Sequence, residues 1–200
     1  MPDHKSSRRF IRGSPQITAN TTGADPPGSG AIDAPGTDPT RHPRHIARVT
    51  LTVNGRSRRI HVDTRTTLLE TLGQRLHLTS PHSGCEHGEC GACTVLLDGK
   101  RIDACLMLTI MADGHEITTL EGLARDGELH PVQTALLEQD CGQCDYCTPG
   151  QIVSAVGCIN EGHTGSAPEI HENMSGNLCR SGAHLNIVAA VETAMRRMGA

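Results

Sequence analysis

Aromatic residues are almost missing from this chain: it has no Trp, one Tyr and one Phe among 200 residues. Its core must be built from Leu, Ile, Val, Ala and Met, without the large burial that aromatic rings supply. No apolar run reaches the length of about 18 residues that a membrane-spanning helix needs. An excess of positive charge is also missing, since the net charge is −4. Residues 1–48 carry seven Lys/Arg against four Asp/Glu, and residues 49–200 carry eleven against eighteen. An acidic body of that kind argues against a nucleic-acid-binding face. The sequence shows no nucleophile–base pair, no Gly-rich phosphate loop and no flavin fingerprint, so the chain alone is not expected to turn over an organic substrate.

Cysteine is abundant by contrast, with nine in the chain. The count is odd and the cysteines bunch at loop spacings of two and four residues, which favours ligation over a disulfide framework. The segment Cys85-Glu-His-Gly-Glu-Cys90-Gly-Ala-Cys93 is C-x4-C-x2-C on a Gly-rich loop, and Cys105 follows after eleven intervening residues. This is the plant-type 2Fe–2S ligand pattern, in which four thiolates hold two irons. A structural zinc site would more often show two C-x2-C pairs, or one with a His pair. His87 forms Cys-x-His with Cys85, but the Cys-x2-His box of a Rieske centre is missing, so His87 reads as a loop residue. Glu86 and Glu89 place acidic charge beside the loop, which disfavours adding an electron there.

Residues 1–46 read as a disordered tail rich in Pro, Gly, Thr, Asp and Ser. Ser7-Arg8-Arg9-Phe10-Ile11-Arg12 resembles a twin-arginine export signal with one residue missing, but no apolar stretch follows it. From Arg48, the alternation of Val49, Leu51 and Val53, the Asn54-Gly55 turn, and Ile60 and Val62 predict a β-hairpin. Leu68, Leu69, Leu72 and Leu76 predict a helix beginning near Thr67. Thr94–Leu97 and the apolar stretch Ile102–Ile110, joined by Asp98-Gly99-Lys100, predict two more strands. The expected fold class is α+β. A β-grasp ferredoxin-like domain over 47–122 is followed, over 123–200, by a small four-helix bundle. Its helices are expected around Val132–Leu137, from Thr148 as N-cap with Pro149 at the first helical position, over Pro168–Met174, and over Leu185–Met198. Cys158, in step with Val156 and Ile159, reads as a core residue.

Two cysteine groups remain: Asp140-Cys141-Gly-Gln-Cys144-Asp-Tyr-Cys147-Thr-Pro-Gly150 and Gly176-Asn-Leu-Cys179-Arg-Ser-Gly182. With these blocks in order, residues 47–198 resemble the small iron–sulfur subunit of the xanthine dehydrogenase family of molybdenum hydroxylases, and most nearly the separate-subunit bacterial aldehyde oxidoreductases. The resemblance implies two 2Fe–2S clusters, one in each domain. Cys85, Cys90, Cys93 and Cys105 would ligate the first, and Cys144, Cys147 and Cys179 match ligands of the second. Gln143 matches a family glutamine that approaches molybdopterin; read without the family it is an ordinary turn residue.

The final ligand position departs from the pattern. Ser181 stands where the family has its fourth cysteine, Ala183-His184 replaces the usual Ala-Tyr, and Asp145 stands where Gly is usual. A serine hydroxyl gives up its proton far less readily than a thiol, so it is a poorer ligand at neutral pH. Three side chains remain open as the completing ligand: Ser181 at the ligand position itself, Cys141 one C-x2-C step before Cys144, and His184 through its imidazole. A three-cysteine site with a labile cluster, or none, is the plainer alternative.

The resemblance implies an electron-transfer subunit of a heterotrimer. It would work with a molybdopterin-binding large subunit that hydroxylates an aldehyde or N-heterocycle, and with an FAD-binding medium subunit. The alternatives are a free-standing 2Fe–2S ferredoxin, against which the second domain argues, and a paralogue with an impaired second cluster. The missing apolar export segment favours a cytoplasmic location, with periplasmic export by the Arg-Arg segment as the alternative.

Overall fold

The computed structural model describes residues 45–141, 145–181 and 183–199, without the side chain of His184. The tail and its Arg-Arg segment lie outside these residues. The hairpin forms as expected. Strands β1 (Ile46–Val53) and β2 (Arg56–Asp63) pair antiparallel from Ile46↔Asp63 to Val53↔Arg56. Asn54 and Gly55, at φ 51 and 73, supply the two left-handed residues that a tight hairpin turn needs. Val49, Leu51 and Val53 are buried on one face of β1.

The Thr67 hydroxyl accepts from the Glu70 N–H at 3.2 Å and caps α1 (Leu68–Glu70), which runs into a π-helical turn over Thr71–Arg75. Strands β3 (Thr94–Leu97) and β4 (Lys100–Asp103) form a second antiparallel pair. Strand β5 (Glu116–Thr118), not anticipated from the sequence, runs parallel to β1 and antiparallel to β3 and closes the sheet in the order β2-β1-β5-β3-β4. The strand expected across Ile102–Ile110 stops at Asp103. Cys105 lies in a turn, and Thr109–Ala112 is a 3-10 helix because the buried Thr109 hydroxyl bonds to the Thr66 and Thr67 carbonyls instead of extending the sheet.

Helices α2 (Pro131–Glu138), α3 (Thr148–Asn160), α4 (Ala167–Asn173) and α5 (His184–Met198) follow. The start of α3 is shifted by one residue from the sequence expectation. Cys147 is the N-cap, its carbonyl accepting from Gln151 N–H at 3.0 Å, while Thr148 is already helical and buried. Arg196 and Arg197 end α5, where cations suit the helix dipole.

One core lies between the sheet and α1, around Leu51, Leu68, Leu72 and Ile117. The other unites the helices around Val132, Leu136, Ile152, Ile170 and Val191. Cys158 is fully buried in it, as expected. Leu96 of β3 also belongs to this helical core, so α3 lies directly against the β3–β4 pair. That packing brings the two cysteine-bearing loops together.

Candidate metal centres

Residues 83–93 curl because Glu86, Gly88 and Gly91 all adopt positive φ, at 63, 78 and 68. Successive N–H groups then point inward at one sulfur, an arrangement suited to an anion. The Glu89 N–H donates to Cys85 Sγ at 3.2 Å. N–H groups of His87 and Glu89, with weaker help from Cys90, hold the Cys85 thiol down to about 6. Gly84 leaves room for Cys90, since a Cβ there would lie 2.5 Å from Cys90 Sγ. Cys93 and Cys105 are buried next to one another, and burial, reinforced by Cys105 and Asp103, pushes the Cys93 thiol up to about 12.

The sulfurs stand in two neighbouring pairs, Cys85 with Cys90 and Cys93 with Cys105, and their chemistry suits a cationic iron–sulfur group. Backbone N–H groups favour the thiolate at Cys85, while bare negative charge is costly at the buried Cys93 and a metal would offset that cost. Among the described residues, no three His, Cys, Asp or Glu side chains converge on one ion. A 2Fe–2S cluster does not require such a cage, because its ligands serve two separate irons. His87 turns away to Glu89, with Nε2 3.1 Å from Oε2 on an exposed edge.

The second set is assembled from two helix N-termini. Cys147 Sγ lies 3.9 Å from Cys179 Sγ, and Ser181 Oγ lies 3.0 Å from Cys179 Sγ. Burial raises the Cys179 thiol, but hydrogen bonds from the Ser181 hydroxyl and the N–H groups of Ser181 and Ala183 outweigh it, leaving the net shift downward. Thus three members of the anticipated set come together and match a thiolate-rich site. Cys144, Gln143 and the His184 side chain lie outside the described residues. Cys141 belongs to the helical core, where its thiol donates to the Gln139 carbonyl at 3.7 Å and burial pushes it up to about 11.

The structure adds a junction between the two loops that sequence reasoning did not single out. The Leu178 N–H donates to the Cys90 carbonyl at 3.0 Å. Asn177, buried, donates through Nδ2 to the Gly91 carbonyl at 2.9 Å and to Thr94 Oγ1 at 3.1 Å. Gln151 Nε2 donates to the Asn177 carbonyl at 2.6 Å. Gly150 meets the Gly91 carbonyl and Ala92 so closely that a Cβ has no place. Tyr146 stacks on His82, with ring centroids 5.4 Å apart, and donates its hydroxyl to the Ser83 carbonyl, reaching from the second loop to the first. Asn177-Leu178 stood in the motif block, but the sequence carried no sign of which backbone it would meet.

Two family profiles agree with this arrangement. One described as a 2Fe-2S iron-sulfur cluster binding domain matches residues 51–118, and one described as a 2Fe-2S binding domain matches residues 119–192. The chain is 45% identical over 207 residues to the aldehyde oxidoreductase iron-sulfur-binding subunit PaoA of Escherichia coli strain K12, covering 96% of this chain and 89% of that one. It is 42% identical over 149 residues to the nicotinate dehydrogenase small FeS subunit of Eubacterium barkeri, covering 74% and 95%. Among solved structures, it resembles a chain of quinoline 2-oxidoreductase from Pseudomonas putida 86 with a TM-score of 0.69 and 36% identity, covering 76% of this chain and 97% of that one. Against the aldehyde oxidoreductase of Desulfovibrio gigas the TM-score is 0.72 at 37% identity, but 76% of this chain corresponds to only 17% of that one.

The fold and its paired cysteine loops therefore define an iron–sulfur protein with two 2Fe–2S-type domains. The chain belongs to the family of small iron–sulfur subunits of xanthine dehydrogenase and aldehyde oxidoreductase-type molybdenum hydroxylases.

Proposed function

We propose that this chain is the electron-relay subunit of a molybdenum hydroxylase. In this reading it stands between a molybdopterin-binding large subunit, which oxidises an aldehyde or N-heterocycle, and an FAD-binding medium subunit. Residues 47–122 form the ferredoxin-type β-grasp domain, with Cys85, Cys90, Cys93 and Cys105 as iron ligands. Residues 123–200 form a four-helix domain, with Cys144, Cys147, Cys179 and Ser181 as ligands and Gln143 as a candidate contact to the partner's molybdopterin. Residues 1–46 are a tail outside both domains. The assembled complex is a cytoplasmic heterotrimer.

When bound, a 2Fe–2S cluster carries one electron, which lets a two-electron oxidation on a partner be drained in single steps. The protein's own part is to hold the two ligand loops against each other. The hydrogen bond from Leu178 N–H to the Cys90 carbonyl carries this reading, because Leu178 is bonded to Cys179 and Cys90 is a ligand of the first set. A continuous route of covalent bonds and one 3.0 Å hydrogen bond thus runs from one ligand to the other. Asn177, Gly91 and Gly150 pack that junction so closely that neither glycine has room for a Cβ. Leu178 and Leu185, 59% and 75% exposed, flank the second loop and suit burial against a protein partner.

The test is anaerobic purification of the native complex, with iron and acid-labile sulfide counted per chain and EPR recorded after dithionite reduction. The relay reading expects two larger chains bearing molybdenum and flavin, about four irons and two distinct rhombic signals. A chain that elutes alone with about two irons is a free-standing ferredoxin, and the reading is then wrong. Fusing residues 1–46 to a reporter tests the location, since arrival in the periplasm would overturn a cytoplasmic assignment.

A further inference from the structure

We infer that Ser181 is the single oxygen donor of the second centre and that it lowers that centre's reduction potential relative to an all-thiolate site. The inference rests on the relay reading and names the residue that tunes one of its two stations.

The geometry selects Ser181 over the described alternative. Cys147 and Cys179 stand 3.9 Å apart, close to the edge of about 3.8 Å that two metal–sulfur bonds of about 2.3 Å span in a tetrahedron. Ser181 Oγ lies 3.0 Å from Cys179 Sγ, on the exposed side of the same loop. Cys141 is nearly sealed in the helical core, 3% exposed, with its thiol already donating to the Gln139 carbonyl. Bringing Cys141 to the site would open that core, whereas Ser181 already stands beside Cys179. On ligation the Ser181 O–H bond breaks, the oxygen–iron bond forms, and the proton passes to bulk water at the exposed hydroxyl. No electron moves in this step.

An alkoxide bears the same charge as a thiolate, so the substitution leaves net charge unchanged. It is the harder donor, and hard anionic donors favour the higher oxidation state of iron. Ferric iron is thereby stabilised over ferrous. The effect is opposite to that of a neutral imidazole, which raises potential at Rieske centres.

The experiment is a potentiometric EPR titration of the full chain purified anaerobically with its partners, comparing wild type, S181C, S181A and C141A, with iron counted in each. S181C is expected to raise the midpoint of the second signal. At a fixed poise its reduced-to-oxidised ratio should rise about tenfold or more, equivalent to about 59 mV for one electron. The midpoint of the first signal should stay in place, and the iron count should not change. S181A should lose the second signal and about half the iron, whereas C141A should keep both. Two wild-type signals with a second midpoint indifferent to S181C would overturn this inference alone. Loss of the second signal in C141A with retention in S181A would do the same by reassigning the ligand. A wild-type protein with only the first signal sinks the relay reading together with the inference.

Discussion

The guanidinium of Arg101, on β4, lies against the carboxylate of Glu161 just beyond α3, with Nη2 2.6 Å from Oε2 and Nε 3.1 Å from both carboxylate oxygens. The same side chain donates to the Asn173 carbonyl at 2.5 Å and to Ser154 Oγ at 3.4 Å. Gly157 makes the approach possible, since a Cβ there would strike the Arg101 side chain. Arg101 thereby ties the sheet to the helical part of the chain, and with 18% and 23% of the two side chains exposed it forms the most buried ion pair among the described residues.

Replacing Arg101 with Met should therefore cost about 1–3 kcal/mol, more than a surface ion pair, because Glu161 and the Asn173 carbonyl lose their partner in a half-buried setting. A double-mutant cycle with E161Q in urea melts measures the coupling, and a coupling near zero would contradict it. The hydrogen bond from Arg101 holds the Glu161 carboxyl below its ordinary range. Its contribution is thus complete above the unfolded glutamate value of about 4.3 and is lost as pH falls through the lower folded value. Wild type should lose stability in that acid window faster than R101M.

Gly150→Ala sets two effects against each other. Alanine gains about 1 kcal/mol of helix propensity over glycine. Its Cβ, however, would meet the Gly91 carbonyl and Ala92, both backbone atoms that cannot swing aside. Overpacking of that kind costs about 1–3 kcal/mol, so the net effect should be destabilising. Hydrogen exchange should quicken at Leu178 as the loop junction loosens. A variant as stable as wild type would show that the junction has slack.

His130 supplies the pH-sensitive cap of α2. Its Nδ1 accepts from the Val132 N–H at 3.2 Å, and its backbone N–H donates to Gln133 Oε1 at 3.0 Å. Burial, aided by the positive charge of Arg125, pushes the imidazole below its ordinary value. The cap is therefore fully in place above the unfolded histidine value of about 6.5 and is lost as pH falls through the lower folded value. H130N keeps a side chain that can cap. It should flatten the loss of stability between neutral and mildly acid pH; an unchanged slope would place the titration elsewhere.

Removing iron should destabilise the whole chain. Groups bound only by the folded state add their binding free energy to folding, and this core has almost no aromatic burial in reserve. Chelation under reducing conditions is expected to lower Tm by more than about 5 °C and to speed amide exchange at 85–93 and 177–181. Equal melting of the loaded and stripped protein would separate the cysteine loops from the folding unit.

Local signals were readable where chemistry is local. Asn54-Gly55 between alternating apolar residues specified the β1–β2 hairpin, and the leucines after Thr67 specified a helical segment, though not its cap or its π-helical second turn. Strand β5 escaped because its three residues owe their conformation to β1 and β3, which lie far from it in sequence. The apolar run 102–110 misled for a related reason. An apolar stretch of that length resembles a strand, yet the buried Thr109 bonds to the 66–67 backbone and the Thr71 hydroxyl, turning the chain away from the sheet.

The sequence by itself determined the spacing of the candidate iron-binding cysteines, because thiol spacing within a loop is a property of a few consecutive residues. It likewise determined the departure at Ser181, which is visible as one letter in a motif. Only the tertiary structure decided that Cys141 is a core thiol, that Ser181 stands beside Cys179, and that Leu178 meets Cys90. Those facts depend on α3 packing against β3 and β4, a contact between segments about fifty residues apart whose close approach rests on glycines at 150 and 157. A glycine reads the same in a sequence whether it makes a turn or admits a neighbour, and only the packed neighbours tell the two apart.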